Sequence, residues 1–126
     1  MNISKAAEVT GLTTYTLRYY ENEGIIPAVP RDKNGIRDYD QTTIEWINFM
    51  KCMREAGIPV EVLVKYYELY KQGESTHEER KQLLINQRNI LQERVATMTE
   101  TLTKLTWKID NYDKIMRSEK NISKGK

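Results

Sequence analysis

From Leu91 to Met116 apolar residues recur at alternating steps of four and three without a break: Leu91, Val95, Met98, Leu102, Leu105, Ile109, Tyr112 and Met116. Arg88 and Leu84 continue the same register toward the N-terminus. This is the heptad pattern of a coiled-coil seam. Residues 76–117 contain neither Gly nor Pro, so the pattern predicts one helix of about forty residues, about 60 Å long. Such a helix cannot bury its stripe against the small domain that precedes it. The stripe needs a partner chain, and the sequence predicts a homodimer. A helix folded back on itself would require a breaker that this stretch lacks.

Upstream the pattern changes to short elements with punctuation. Ser4 can cap a helix through Ala6, Ala7 and Val9 that Gly11 stops. Thr13 can cap a second helix, Thr14 to Asn22, ended by Gly24 and followed by Pro27. Leu17 and Tyr20 fall on one face of it, and Thr14, Tyr15, Arg18 and Tyr19 fall largely on the other. Asn34-Gly35 then predicts a tight hairpin, as both residues tolerate the positive φ of a type I′ turn. Asp40 caps a third helix with Ile44, Ile47, Met50 and Met53 on its apolar side and Trp46 and Phe49 alongside. Ala56-Gly57-Ile58-Pro59 breaks it, and Pro59 suits the start of a fourth helix through Val60, Leu63, Val64 and Tyr67. The expected organisation is a helical domain with a small hairpin over residues 1–74, a coiled-coil helix over 75–118, and a flexible basic tail over 119–126.

Composition narrows the function classes. The 126 residues are 39% hydrophobic and 30% charged, a mix that folds. Twenty basic residues against eighteen acidic ones give a net charge of +2, so any case for nucleic acid rests on motifs rather than on bulk charge. No apolar run is long enough to span a membrane, and no signal peptide is legible. The expected location is cytoplasmic. One cysteine, Cys52, rules out an intrachain disulfide and a Cys-rich metal site. His77, beside Glu78 and Glu79, reads as a solvated first-turn residue with acids favouring the helix N-terminus. No metal or cofactor is expected. No nucleophile–base motif and no phosphate-cradling Gly loop appears, so catalysis is not expected either.

Two helices joined at Gly11, with Ala7 at the crossing and Leu17 packing back, have the layout of a helix-turn-helix. Arg18 can fork onto guanine or phosphate, and the tyrosine hydroxyls can reach phosphates or base edges. Arg31, Lys33 and Arg37 cluster about the hairpin tip, with Asp32 and Asp38 neutralising part of the charge. Beside a helix-turn-helix, such a hairpin reads as a wing. Cys52 has two readings. It is a small buried hydrophobe beside Phe49 and Ala56, or a thiol whose reactive anion Lys51 and Arg54 favour.

Residues 1–72 resemble the DNA-binding domain of the MerR family of transcription regulators. The resemblance rests on Ile3-Ser4-Lys5-Ala6-Ala7, Thr16-Leu17-Arg18-Tyr19-Tyr20-Glu21, Gly24-Ile25-Ile26, Asn34-Gly35-Ile36-Arg37-Asp38-Tyr39 and Ala56-Gly57-Ile58-Pro59, in family order and spacing. It implies an all-α dominated fold, a winged helix-turn-helix followed by a long dimerisation helix in an antiparallel coiled coil. The heptads do not give that orientation; the resemblance does. It further implies a homodimer on a promoter pseudo-palindrome in double-stranded DNA, which it bends and untwists so that RNA polymerase engages both promoter elements. It assigns Thr14, Tyr15, Arg18 and Tyr19 to a recognition helix, Arg31, Asn34, Arg37 and Tyr39 to the wing, and Arg54 and Lys5 to phosphate contacts. Finally, Cys52 matches the lone cysteine of a short subgroup responsive to aldehydes, other electrophiles or nitrosative stress. The alternative is a constitutive or architectural DNA-binding protein that senses nothing.

Overall fold

The computed structural model describes residues 1–124 and is built from helices: α1 (Ile3–Thr10), α2 (Thr14–Glu23), α3 (Gln41–Glu55), α4 (Val60–Lys71), a 3-10 turn (Glu74–Thr76), α5 (His77–Asp110) and α6 (Tyr112–Lys124). It forms two compact units, Met1–Gln87 and the remainder. The first turns of α5 therefore belong to the first unit.

Local chemistry sets most helix ends in the first unit. Asn2, rather than Ser4, caps α1 by accepting from the Lys5 N–H at 2.9 Å. Both residue types cap well, and the helix begins as early as a capping side chain allows. Gly11 closes α1 in the left-handed region (φ 73°), its N–H donating to the Ala7 carbonyl at 2.9 Å. Thr13 and Asp40 cap α2 and α3 as expected, accepting from Thr16 and Thr43. The Asp40 carboxyl receives both the Thr43 N–H and hydroxyl, which hold its pKa below the usual carboxylate range.

The core gathers one face of each helix. Leu17 and Tyr20 come from α2, Ile44, Ile47 and Met50 from α3, and Leu63 from α4, closed by Ile25 and Ile26 after α2. Ala6, not Ala7, is the fully buried small residue of α1. Met53 and Trp46 are only partly buried, and Phe49 is exposed.

The hairpin forms, but not with the expected turn. Its one bridge pairs Arg31 with Arg37. No non-Gly residue among those described has positive φ, so Asn34 is not in a type I′ turn; Gly35 alone is left-handed, at 79°. The Gly35 N–H donates to the Asp32 carbonyl at 2.9 Å and the Asp32 N–H to Ile36 at 2.8 Å. This is a three-residue connection of the turn-plus-bulge kind. The Asp32 carboxylate decides it by accepting from the N–H groups of both Asn34 and Ile36, an Asx-type bond that holds Asn34 out of the left-handed region.

In the second unit the expected single helix is interrupted once, at Asn111, between α5 and α6. The Asn111 side-chain amide donates to the Trp107 carbonyl at 2.8 Å, where its own backbone N–H also donates at 3.1 Å. Asn111 also accepts from the Ile115 N–H at 2.9 Å, so the backbone ladder runs on through a one-residue turn that carries an added side-chain bond. The heptad stripe lies open on this chain: Met98 is 72% exposed, Leu102 62% and Ile109 63%. Of the tail expected from residue 119, residues 119–124 continue α6, since extending a formed helix costs little and no breaker stands before Gly125. Residues 125 and 126 of that expected tail lie outside the described residues. No described helix is long and apolar enough to cross a membrane. Among the described residues, no three of His, Cys, Asp and Glu stand together as a metal site.

Candidate nucleic-acid interface

The short α1 packs on α2 across the Gly11 turn. Support comes from α3, where Lys51 donates to the Thr10 carbonyl at 2.8 Å. A cation at the end of α1 satisfies an orphan carbonyl and complements the helix dipole. Burial of Leu17 and Tyr20 turns the opposite face of α2 outward. Tyr15 is 77% exposed, Arg18 and Tyr19 are exposed, and Thr14 is half-buried. Tyr15, Arg18 and Tyr19 thus lie on the open face that the helical period gives them, with Thr14 at its edge.

The hairpin is tied to this helix by a residue that sequence reading left unassigned, Glu21. Its side chain is only 11% exposed. One carboxylate oxygen accepts from Arg37 Nε at 2.8 Å and lies 3.7 Å from Arg31; the other accepts from the Val29 N–H at 2.5 Å. An acid at the last turn of α2 opposes the helix dipole, and that unfavourable placement beside two hairpin arginines was the available signal. Through Glu21, α2 and the wing become one surface. Arg18, Arg31 and Arg37 line a shared groove of about 300 Å³ with Asn2, Ile3 and Ile36. Lys33 and Asn34 stand exposed at the hairpin tip.

Of the other expected contact residues, Tyr39 is placed differently, while Arg54 and Lys5 are exposed but already have partners within the chain. Tyr39 is fully buried (0% exposed), so its side chain is a core member and not an outward wing residue. Pairing of its backbone with Met1, N–H to carbonyl at 2.7 Å, draws it inward. Its hydroxyl has no hydrogen-bond partner among the described residues. Burial raises its pKa, Arg37 opposes that rise, Glu21 adds to it, and Arg18 and Arg31 oppose it further. Because a buried hydroxyl without a partner costs about 1 kcal/mol or more, Tyr39→Phe is expected to raise stability by about that amount, seen as a higher urea midpoint. Arg54 is exposed but spends one donor on the Ile58 carbonyl at 2.7 Å, bracing the Gly57 turn. Lys5 is exposed and sits 3.6 Å from Glu8.

Cys52 is a free, exposed thiol on α3, which removes the reading of it as a small buried hydrophobe. Its two basic neighbours, Lys51 and Arg54, are each committed to a backbone carbonyl.

Residues 1–69 match the family described as MerR HTH family regulatory protein. The transcriptional regulator AdhR of Bacillus subtilis strain 168 is 50% identical over 91 residues, which cover 72% of this chain and 65% of AdhR. This chain thus spans just under two thirds of that relative's length. Among solved structures, a MerR family transcriptional regulator from Listeria monocytogenes superposes with a TM-score of 0.89 at 38% identity, covering 98% of this chain and 95% of the other. HiNmlR, a MerR family regulator lacking the sensor domain and crystallised on promoter DNA, superposes with a TM-score of 0.82 at 32% identity, covering 90% of each chain. With a helix-turn-helix braced to a basic hairpin, a family match over more than half its length and near-complete superposition on solved relatives, this chain belongs to the MerR family of helix-turn-helix regulatory proteins.

Proposed function

We propose that this chain regulates transcription as a homodimer that binds a pseudo-palindrome in the spacer of a promoter and deforms the DNA there for RNA polymerase. The observation that carries the reading is the groove where Arg18 of the α2 helix meets Arg31 and Arg37 of the hairpin. A helix face bearing Tyr15, Arg18 and Tyr19 suits the major groove, and the arginines beside it suit the flanking phosphates. Arg37 shares its charge with Glu21, while Arg18 has no ion pair among the described residues, so Arg18 is the stronger contact. The homodimer is supported by the open stripe of α5, which a second copy would cover. Two such heads on one duplex can offset a bending cost of about 1–6 kcal/mol. Its relatives are named transcription regulators, and the chain is a regulator rather than an enzyme.

The test is selection of bound sequences from a random DNA pool at stated salt. An enriched inverted repeat with half-sites about one helical turn apart supports the reading. Salt-sensitive binding with no repeat would favour the architectural alternative.

We extend the proposal to sensing by Cys52, supported by its exposure and its freedom from any disulfide. Its thiolate would add to an aldehyde carbon, forming an S–C bond as the C=O π pair moves to oxygen and is protonated by water, or would take a nitrosonium group from a small nitrosothiol whose thiolate leaves. The bulk added to α3 would then tilt the DNA-binding unit. Cys52→Ser is expected to bind the selected operator with unchanged affinity and to lose aldehyde-dependent transcription in a purified system. Full induction in that variant would end the sensing proposal while leaving the DNA-binding reading intact.

A further inference from the structure

Between α4 and α5 lie only Gln72, Gly73 and the single 3-10 turn Glu74–Thr76. Thr76 is 5% exposed. Its hydroxyl lies 2.6 Å from the Leu69 carbonyl and 2.8 Å from the Gly73 carbonyl, and shares its one proton between them. The same oxygen accepts from Arg80 Nε, one turn into α5, at 3.1 Å. The Arg80 guanidinium lies 5.4 Å from the Tyr70 ring centroid, and Tyr70 meets Trp46 of α3 edge-on at 4.9 Å. Thr76 and Arg80 thus join the start of α5 to the last turn of α4, and through Tyr70 to α3.

A threonine just before a helix ordinarily gives its oxygen to that helix's first N–H groups. Among the described residues, Thr76 instead turns its oxygen to the Arg80 side chain and its proton back to α4. Its bonding therefore links two helices rather than finishing one. Hydrogen bonds are directional and strengthen when buried, so this pair favours one geometry, whereas an apolar contact between helices tolerates sliding. The cation over Tyr70 adds a second point of attachment. Two recognition helices on one duplex must meet two grooves at once. Which separation of grooves they can meet depends on how each head is joined to α5, the helix that carries the seam.

We propose, resting on the homodimer reading above, that Thr76 and Arg80 are positioning residues for operator recognition: they hold the first turns of α5 at one angle to α4, and that angle sets the half-site spacing the protein accepts. Neither residue needs to touch DNA for this. Loss of the clasp leaves each head able to bind its own half-site and removes the constraint between the two.

The test uses the full-length protein and the operator selected by it, with the half-sites moved together or apart by one base pair. Each such step turns one half-site by about 35° and shifts it by about 3.4 Å. Fluorescence anisotropy is expected to show the unsubstituted protein losing about tenfold or more in affinity per step, because simultaneous engagement fails. Thr76→Val keeps the side-chain shape without the hydroxyl, and is expected to discriminate between spacings by about threefold or less. Thr76→Ser restores the hydroxyl and is expected to restore the discrimination. Arg80→Met, which leaves the buried hydroxyl in place, carries the test if Thr76→Val fails to fold. All variants are expected to sediment as dimers and to bind a duplex with one half-site as the unsubstituted protein does. An equal loss of affinity at every spacing would show a merely structural role and overturn the proposal. Spacing discrimination kept in both Thr76→Val and Arg80→Met would overturn it alone. No preferred spacing in the unsubstituted protein would overturn it together with the homodimer reading.

Discussion

Leu102→Glu combined with Leu105→Glu is expected to convert the protein to a monomer and to lower operator affinity by about 10²–10⁴-fold. Both side chains stand open on the single chain, 62% and 56% exposed, so they contribute little to the fold of one copy. Their apolar area matters only when a second copy covers it. Burying a leucine is worth about 1.5–3 kcal/mol, and a symmetric dimer would lose four of them and gain four desolvated carboxylates. That exceeds what a seam of this length can spare. The DNA effect follows from linkage of two heads: a dimer engages its second half-site at an effective concentration far above that of a free monomer, and loss of the link removes about that 10²–10⁴-fold advantage. Sedimentation equilibrium reads the mass, and fluorescence anisotropy on the selected operator reads the affinity. Far-UV circular dichroism should show the first unit still folded. A double variant that sediments as a dimer would end the assignment of this stripe as the seam.

Glu21→Ala is expected to cost about 2–3 kcal/mol of folding stability and to weaken operator binding together with it. The alanine variant strands the Val29 N–H and removes the partner of Arg37, whose side chain is itself only 23% exposed. Hydrogen bonds to charged groups are worth about 1.5–3 kcal/mol each; the carboxylate also touches solvent, so the sum is discounted to the stated range. Glu21→Gln separates charge from geometry. Its amide oxygen can still accept from one of the two donors, but neutral bonds are about half as strong as charge-assisted ones, so an intermediate loss is expected. If Glu21 only added negative charge near the DNA, removing it would strengthen binding. A fall in affinity for both variants, read beside the fall in urea midpoint, identifies Glu21 as the residue that positions the wing. A gain in affinity would show that its charge, not its bonding, is what DNA senses.

Features that depend on nearest neighbours and on period are legible in the chain before it folds. Helix ends at Gly11, Thr13, Gly24 and Asp40 follow from side chains that bond within three or four residues or tolerate positive φ. The division of α2 into a buried face at Leu17 and Tyr20 and an open face at Tyr15, Arg18 and Tyr19 follows from 3.6 residues per turn. The heptads of α5 place an apolar stripe along a helix too long to bury it alone. The rest turns on pairs far apart in the chain. Glu21 meets Arg37 sixteen positions away and Lys51 reaches Thr10 at forty-one; no periodicity encodes either distance. The family resemblance assigned Tyr39 to the wing, and its long-range backbone pairing with Met1 accompanies its burial in the core. The hairpin turn and the break at Asn111 show the same limit on a shorter scale. In both, a side chain bonds a nearby backbone group, and where that bond forms is set by geometry that residue identity alone leaves open.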